Sequence, residues 1–230
     1  MHFKIINKNK GENSKQFTYR ILKENIMNLS LAPGEAISEV EISQALDVSR
    51  TPVREAIVKL KEEKLVNVFP QRGSFVSKMS LKLIEEAAFL REICDKEMLK
   101  IICSNKNKEI LIKDLKKNLE YQKIIVDYEE NSYEFFRLDN KFHEIIYSFC
   151  NKLNIWKAIK RLSTHYDRLR LFDALEKMNL DEILYQHEKI IEILEDNKFE
   201  EIDSIVNEHL FNFKEVMGVF TDKYPDYFEA

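Results

Sequence analysis

DVSRTPVREA, residues 47–56, sets Arg50 and Arg54 one helical turn apart, behind a serine and astride a proline. Ser49 is of the residue type that caps a helix N-terminus, and Pro52 fits a first turn, where its missing N–H does no harm. The spacing therefore predicts a helix starting here. Its apolar face is Val53, Ile57 and Leu60, which leaves Arg50, Thr51 and Arg54 on a side the core does not use.

Upstream, a helical stripe of Phe17, Ile21, Leu22, Ile26 and Met27 runs from Ser14 to about Leu29, and the Pro-Gly turn in LAPGEAIS stops it. Ser38 and Glu41 have capping-box spacing and open a short helix with Ile42, Ala45 and Leu46 facing inward. Asp47 and Val48 make the tight turn into the third helix. Downstream, KLVNVFPQRGSFVSK reads as two short strands about the Pro70–Gly73 turn. Helix, helix, tight turn, helix and a two-stranded wing is the order of a winged helix-turn-helix. That motif presents the N-terminal residues of its second helix to base edges in the major groove. Arginine suits guanine there, because its planar fork meets O6 and N7 together. Arg72 at the wing turn is placed for phosphate or the adjacent minor groove. The competing reading is two arginines paired with carboxylates on a solvated face.

The rest of the composition fits this organisation. In 230 residues there are four Gly and four Pro, with 44% hydrophobic and 33% charged residues, so the chain leans to helix and is too apolar for disorder. Cys94, Cys103 and Cys150 are scattered and odd in number, which implies no disulfide framework and a reducing, cytoplasmic setting. There is no signal-like N-terminus and no membrane-length apolar run. Charge is uneven: 13 Lys and Arg stand against 9 Asp and Glu through Lys78, and 23 against 31 beyond it. A basic part that meets an anion is thus followed by an acidic part that does not. The expected domains are residues 1–78, for DNA binding, and 79–230, an antiparallel bundle of six or seven helices. The expected helix breaks fall near SNKNK, near Asn131, at CNKLN, near MNLD and at DNK.

Four of the five histidines lie in this second part, at 143, 165, 187 and 209. In RLDNKFHEII, Asp139 and His143 stand i,i+4 on one helix face, where a carboxylate and an imidazole can converge on an ion or form a plain pair. His187 adjoins the stripe of Ile190, Ile191 and Leu194, His209 lies in NEHLFNF, and His165 sits among polar neighbours. Spacing alone leaves open whether these side chains meet.

EVEISQALDVSRTPVREAIVKL, followed by LV and FPQRGSFV, closely resembles the DNA-binding domain of GntR-type bacterial transcription regulators over about residues 14–78. The resemblance implies DNA contacts by Ser49, Arg50, Thr51 and Arg54, with Arg72 and Gly73 at the wing tip. Two positions depart from the pattern. Asp47 stands where glycine is usual, though Asp tolerates a left-handed turn better than most residues. Val40 stands where some members carry a DNA-contacting arginine. The second part resembles the FadR-like branch and its FCD effector domain, through LD and FH at Asp139 and His143, QHEKIIEILEDNKFEEID, and EHL at His209. Metal-binding members place one Asp and three His at these positions, which implies Asp139, His143, His187 and His209 here. Zn²⁺ or Ni²⁺ suits such a set and leaves room for a small carboxylate. Arg91 resembles a family arginine that faces the pocket, and Arg137 and Arg170 are further candidate anchors. The implied function is a ligand-responsive homodimer on a pseudo-palindromic operator. The alternatives are a regulator for which the metal itself is the signal, and a metal-dependent enzyme acting on a small carboxylate. For an enzyme, no HExxH run, phosphate loop or Ser-His-Asp order is present, and residues 38–78 would have no role.

Overall fold

Helix α1 (Ser14–Met27) starts at Asn13, whose side chain accepts the Gln16 N–H while the Gln16 side chain returns the bond, a closed capping box. The computed structural model describes residues 4–128, 131–211 and 213–229. These divide into two compact units.

The first unit contains residues up to 84, residues 164–168 and the chain from Phe220 onward. After α1 come β1 (Ala36–Ile37), α2 (Glu39–Ala45), α3 (Arg50–Glu62), β2 (Val66–Phe69) and β3 (Gly73–Val76). Ile21, Ile26, Ile42, Val53, Leu60 and Val76 are fully buried or nearly so and form the centre of one apolar cluster. Ala45, expected inside, is exposed, and α2 buries Ile42 and Leu46 instead. Asp47 adopts the left-handed backbone at φ 50°, as the helix-turn-helix requires of it. Ser38 Oγ accepts the Glu41 N–H at 3.3 Å. Ser49 precedes α3 in extended backbone but makes no side-chain cap bond, so its hydroxyl does not cap as the sequence predicts. The sheet is three-stranded and antiparallel, in the order β1-β3-β2, with Ile37 opposite Ser74 and Val66 opposite Val76. The wing thus gains a strand over the predicted pair, because Ala36–Ile37 is too short to carry a period-two signal. Its tip turns through Gln71 at φ 63° and Gly73 at φ 99°.

Later segments of the chain complete this unit. The Thr164 hydroxyl donates to the Glu63 carbonyl at 3.1 Å, and His165 Nε2 lies 2.8 Å from the Lys64 carbonyl. His165 Nδ1 accepts the Ser80 N–H at 3.0 Å, which fixes the proton on Nε2. Arg168 Nη1 donates to the Ser77 carbonyl at 2.9 Å. Met79 exchanges backbone bonds with the chain's last described turn, donating to Tyr227 O at 2.7 Å and accepting from Glu229 N at 2.9 Å. Burial pushes the His165 imidazole down to about 4, with only partial opposition from its bond to Lys64.

The second unit is helical, spanning Glu85–Ser163 and Leu169–Val219. Its helices belong to the series α4 (Leu81–Cys103), α5 (Glu109–Asp127), α6 (Ser132–Phe149), α7 (Leu153–Leu162), α8 (Thr164–Glu176), α9 (Leu180–Asp196), α10 (Ile202–Phe211) and α11 (Phe213–Lys223). The sequence predicts six or seven helices here, and α10 and α11 are separated only by position 212, which lies outside the described residues. The boundary at Ser163, which the sequence does not signal, carries no Gly or Pro. α5 packs on α6 and α9, α6 on α7, and α9 on α10. Leu115, Phe142, Tyr147, Leu194 and Leu210 lie at the centre of the shared core. Asp139, His143 and His187 are buried on the inward faces of α6 and α9, so these helices aim polar groups where the periodicity calls for apolar ones.

Candidate functional site

On α3, Val53, Ala56, Ile57 and Leu60 face the core, while Arg50, Thr51 and Arg54 are exposed beside the exposed Ser49. Arg54 Nε bonds Glu39 Oε2 of α2 at 2.8 Å. Such an exposed pair stabilises by well under 1 kcal/mol and opens readily to a stronger anion. At the wing tip, Arg72 and Gly73 are exposed, and the Arg72 guanidinium lies 5.6 Å from the centre of the Phe69 ring. Exposed cations at the start of a second helix and at a wing turn are the arrangement that positions a protein on phosphates and base edges.

In the second unit, four predicted donors meet. Asp139 and His143 come from α6, His187 from α9 and His209 from α10, with one donor atom of each lying within 4.8 Å of the others. His143 Nε2 and His209 Nε2 are 3.0 Å apart, and Asp139 Oδ1 lies 3.4 Å from His187 Nε2 and 3.6 Å from His143 Nε2. The tautomers of two imidazoles are set from behind. His209 Nδ1 meets Gln186 Oε1 at 3.0 Å, while the Gln186 amide nitrogen donates to the Glu182 carboxylate at 2.9 Å. A carboxylate only accepts, so the Gln186 oxygen faces His209, and His209 carries its proton on Nδ1. His187 Nδ1 meets Gln122 Oε1 at 2.9 Å in the same way, with Gln122 Nε2 donating to Asn118 at 2.7 Å. Both imidazoles therefore turn an Nε2 lone pair to a common centre. Among the described residues, buried His187 Nε2 and Asp139 Oδ1 have no hydrogen-bond partner. Leaving such atoms unmatched costs about 1–3 kcal/mol each, a cost that a shared cation removes.

The charge states agree with this chemistry. Burial, with the charges of Arg91 and a neighbouring imidazole, holds His143 and His209 well below their ordinary range, and burial lowers His187. All three are neutral near pH 7, the form in which an imidazole can ligate a metal. Burial acts against ionisation of Asp139, but the Arg170 guanidinium and His187 outweigh it and keep the carboxyl charged. Phe142 stacks on His187 with ring centres 4.0 Å apart. Arg91, itself buried, bonds Asp95 at 2.9 Å and lies 5.8 Å from the Trp156 ring centre. Trp156 stacks near His143, and the Tyr147 hydroxyl donates to the other oxygen of Asp95.

Two family models match the chain: bacterial regulatory proteins of the gntR family over residues 14–76, and the FCD domain over residues 86–212. An Escherichia coli protein, the HTH-type transcriptional repressor RspR, is 30% identical over 213 residues, 93% of this chain and 92% of its own. The chain is a GntR-family regulator with an FCD domain. A Streptomyces ambofaciens HTH-type regulator is 33% identical to this GntR-family chain over 183 residues, 79% of it and 75% of the relative. A solved Rhodococcus GntR structure shares its fold at TM-score 0.70 and 22% identity, covering 89% of the chain and 97% of that structure. These families and relatives are transcription regulators, not enzymes. No described helix is long and apolar enough to cross a membrane.

Arg91 and Arg170 stand with the four donors of the GntR-family chain, Arg170 through a hydrogen bond to Asp139 Oδ2. Arg137 instead forks onto Glu134 at the surface and lines a groove between α5 and α6 with Lys117, Tyr121 and Lys141. Sequence reasoning passed over Gln122, Gln186, Asp95, Tyr147 and Trp156. A signal existed for one pair. Asn118 and Gln122 continue the inward stripe of Leu111, Leu115 and Leu119, so polar residues stand where the pattern calls for apolar ones.

Proposed function

We propose that this regulator binds a pseudo-palindromic operator as a homodimer and that a small carboxylate metabolite controls it at a metal-centred pocket. Asp139, His143, His187 and His209 hold the ion, and Zn²⁺ or Ni²⁺ suits three imidazoles and one carboxylate. The observation that carries this reading is the convergence of Nε2 lone pairs whose Nδ1 atoms are anchored by Gln122 and Gln186. Glutamine acceptors behind ligating histidines fix the tautomer and raise ligand basicity. Four protein donors of this kind still admit a carboxylate oxygen on the ion. Arg91 and Arg170 are the cations beside it for the ligand's charge, Arg91 being held in place by Asp95. Ser49, Arg50, Thr51 and Arg54 address the major groove, and Arg72 with Gly73 the flanking backbone or minor groove. The effector acts by binding the DNA-competent and incompetent states with different affinity.

Elemental analysis of protein purified without chelator or tag metal tests the pocket. About one divalent ion per chain is expected. A screen of small carboxylates against metal-replete protein should then find one that shifts DNA binding. Absence of an ion even after incubation with Zn²⁺ and Ni²⁺ overturns the metal-centred reading and leaves the DNA-binding assignment intact.

A further inference from the structure

We infer that Glu182 is a positioning residue for the ion site. Through Gln186 it holds His209 in the one tautomer that can ligate, while the matching relay behind His187 ends on Asn118 and is free to reverse. The inference deepens the proposed function, on which it rests for the ion but not for the tautomers.

Two relays of the same construction stand behind the cluster. On α9, the Gln186 amide nitrogen donates four residues back to Glu182 at 2.9 Å, and its oxygen meets His209 Nδ1 at 3.0 Å. On α5, the Gln122 amide nitrogen donates four residues back to Asn118 at 2.7 Å, and its oxygen meets His187 Nδ1 at 2.9 Å. Gln186, Gln122 and Asn118 are buried, where an amide is costly unless its polar ends are bonded. Glu182 is exposed.

The relays differ in what ends them. A carboxylate has no proton to give, so a chain that starts at Glu182 runs one way only. The Gln186 nitrogen must face Glu182, its oxygen must face His209, and the His209 proton stays on Nδ1. His143 Nε2, 3.0 Å away, can then donate to the bare His209 Nε2 in the metal-free chain. Asn118, by contrast, carries a donor and an acceptor on one amide. A half turn of the Asn118 and Gln122 amides exchanges oxygen for nitrogen and leaves every heavy-atom position filled. The Gln122 nitrogen then donates to His187 Nδ1, and the His187 proton moves to Nε2, which faces Asp139 Oδ1 at 3.4 Å. Two buried atoms that are otherwise unmatched among the described residues thereby become a donor and an acceptor. The same reversal closes His187 to an ion. A cation thus finds His209 ready but His187 only part of the time, and its apparent affinity falls by that fraction.

Zn²⁺ affinity of the full chain, measured by competition with a chromogenic chelator, and imidazole ¹⁵N shifts of the metal-free protein read the two relays separately. In the metal-free wild type, His209 should be a single Nδ1–H species and His187 a mixture of both tautomers. Glu182→Gln should lower Zn²⁺ affinity about tenfold or more and turn His209 into a mixture. Asp181→Asn removes the same charge from the same helical turn outside the relay, and should leave affinity within about twofold. Adding Gln186→Glu to Glu182→Gln puts an acceptor-only group directly behind His209, and should restore both the affinity and the single tautomer. Asn118→Asp should raise affinity about fivefold by removing the reversed state. If that variant does not fold, the wild-type His187 mixture decides. An equal fall in Asp181→Asn and Glu182→Gln is a field effect and overturns the inference. So does a His209 mixture or a single His187 tautomer in the metal-free wild type. Zn²⁺ bound with wild-type affinity by Glu182→Gln overturns the inference alone. A wild type that binds no Zn²⁺ overturns the metal-centred function beneath it, and the tautomers of the metal-free protein still decide the relays.

Discussion

The exposed face of α3 and the inward faces of α6, α9 and α10 both collect charged and polar side chains, under opposite solvent conditions. Arg50 and Arg54 stand in water, cost little to hold, and are released from partners such as Glu39 with little loss. Asp139, His143 and His187 are almost wholly buried, where every unmatched lone pair raises the energy of the folded chain. The lesson is that exposure makes a site readable by its sign of charge and burial makes one readable by its debts. The outer face waits for any anion of the right shape. The inner cluster is marked by what it leaves unsatisfied.

The largest expected effect lies on the inner side. His187→Ala should bring bound metal from about one ion per chain to none after dialysis, with DNA-head folding retained. Unchanged metal stoichiometry would erase the contrast, since the cluster would then be satisfied without an ion. The second effect concerns pH and His165. The unfolded chain protonates this imidazole near pH 6.5 and the folded chain only near pH 4, so the unfolded state binds more protons in between. Stability is therefore full above pH 6.5, falls as pH drops towards 4, and is level below that, by about 3 kcal/mol in all. Nearby Arg168 and Lys64 push in the same direction and Glu229 opposes them. Denaturant titrations of wild type and His165→Phe at several pH values measure it, and equal slopes in the two proteins would remove His165 from the account.

Third, Arg50→Ala and Arg54→Ala should each weaken binding to a duplex that the wild type selects from a random-sequence pool by about 1–3 kcal/mol and relax base preference at one position. Losses that are uniform across sequences would demote both arginines to phosphate contacts. The smallest effect sharpens the outer half of the comparison. Glu39→Gln frees Arg54 and should tighten DNA binding by up to about 1 kcal/mol at low salt and less at high salt. Weaker binding in that variant would mean that Glu39 aims Arg54 rather than occupying it.

Most of the fold was legible because its signals are local. The α1 stripe, the SRTPVREA start and the turn at Pro70 each span under twenty residues, and Asp47 took the left-handed turn expected of it. The misses were of two kinds. β1 has two residues, and the α7–α8 boundary at Ser163 lacks a breaker, so neither leaves a periodic trace. Ser49 has the right identity for a cap yet forms no cap bond, because identity does not fix a rotamer. For the inner cluster, the four donors were nameable from their motifs, but their meeting depends on how α6, α9 and α10 pack. Gln122 and Gln186 were hidden for the same reason, since their histidine partners lie 65 and 23 residues away. His165, which reads as a polar-face residue, is buried, with its two ring nitrogens bonded to Lys64 and Ser80.

The backbone exchange of Met79 with Tyr227 and Glu229 bears on the order in which the molecule assembles. A strand-like pairing across ~150 residues is a contact of very high order, slow to form and impossible before both ends exist. On a ribosome emitting about 5–20 residues per second, the helix-turn-helix core emerges many seconds before the residues that finish its unit. The nascent head therefore spends that interval with Met79, Lys64 and Ser77 still waiting for their partners. The unit is therefore complete only when translation has passed Glu229.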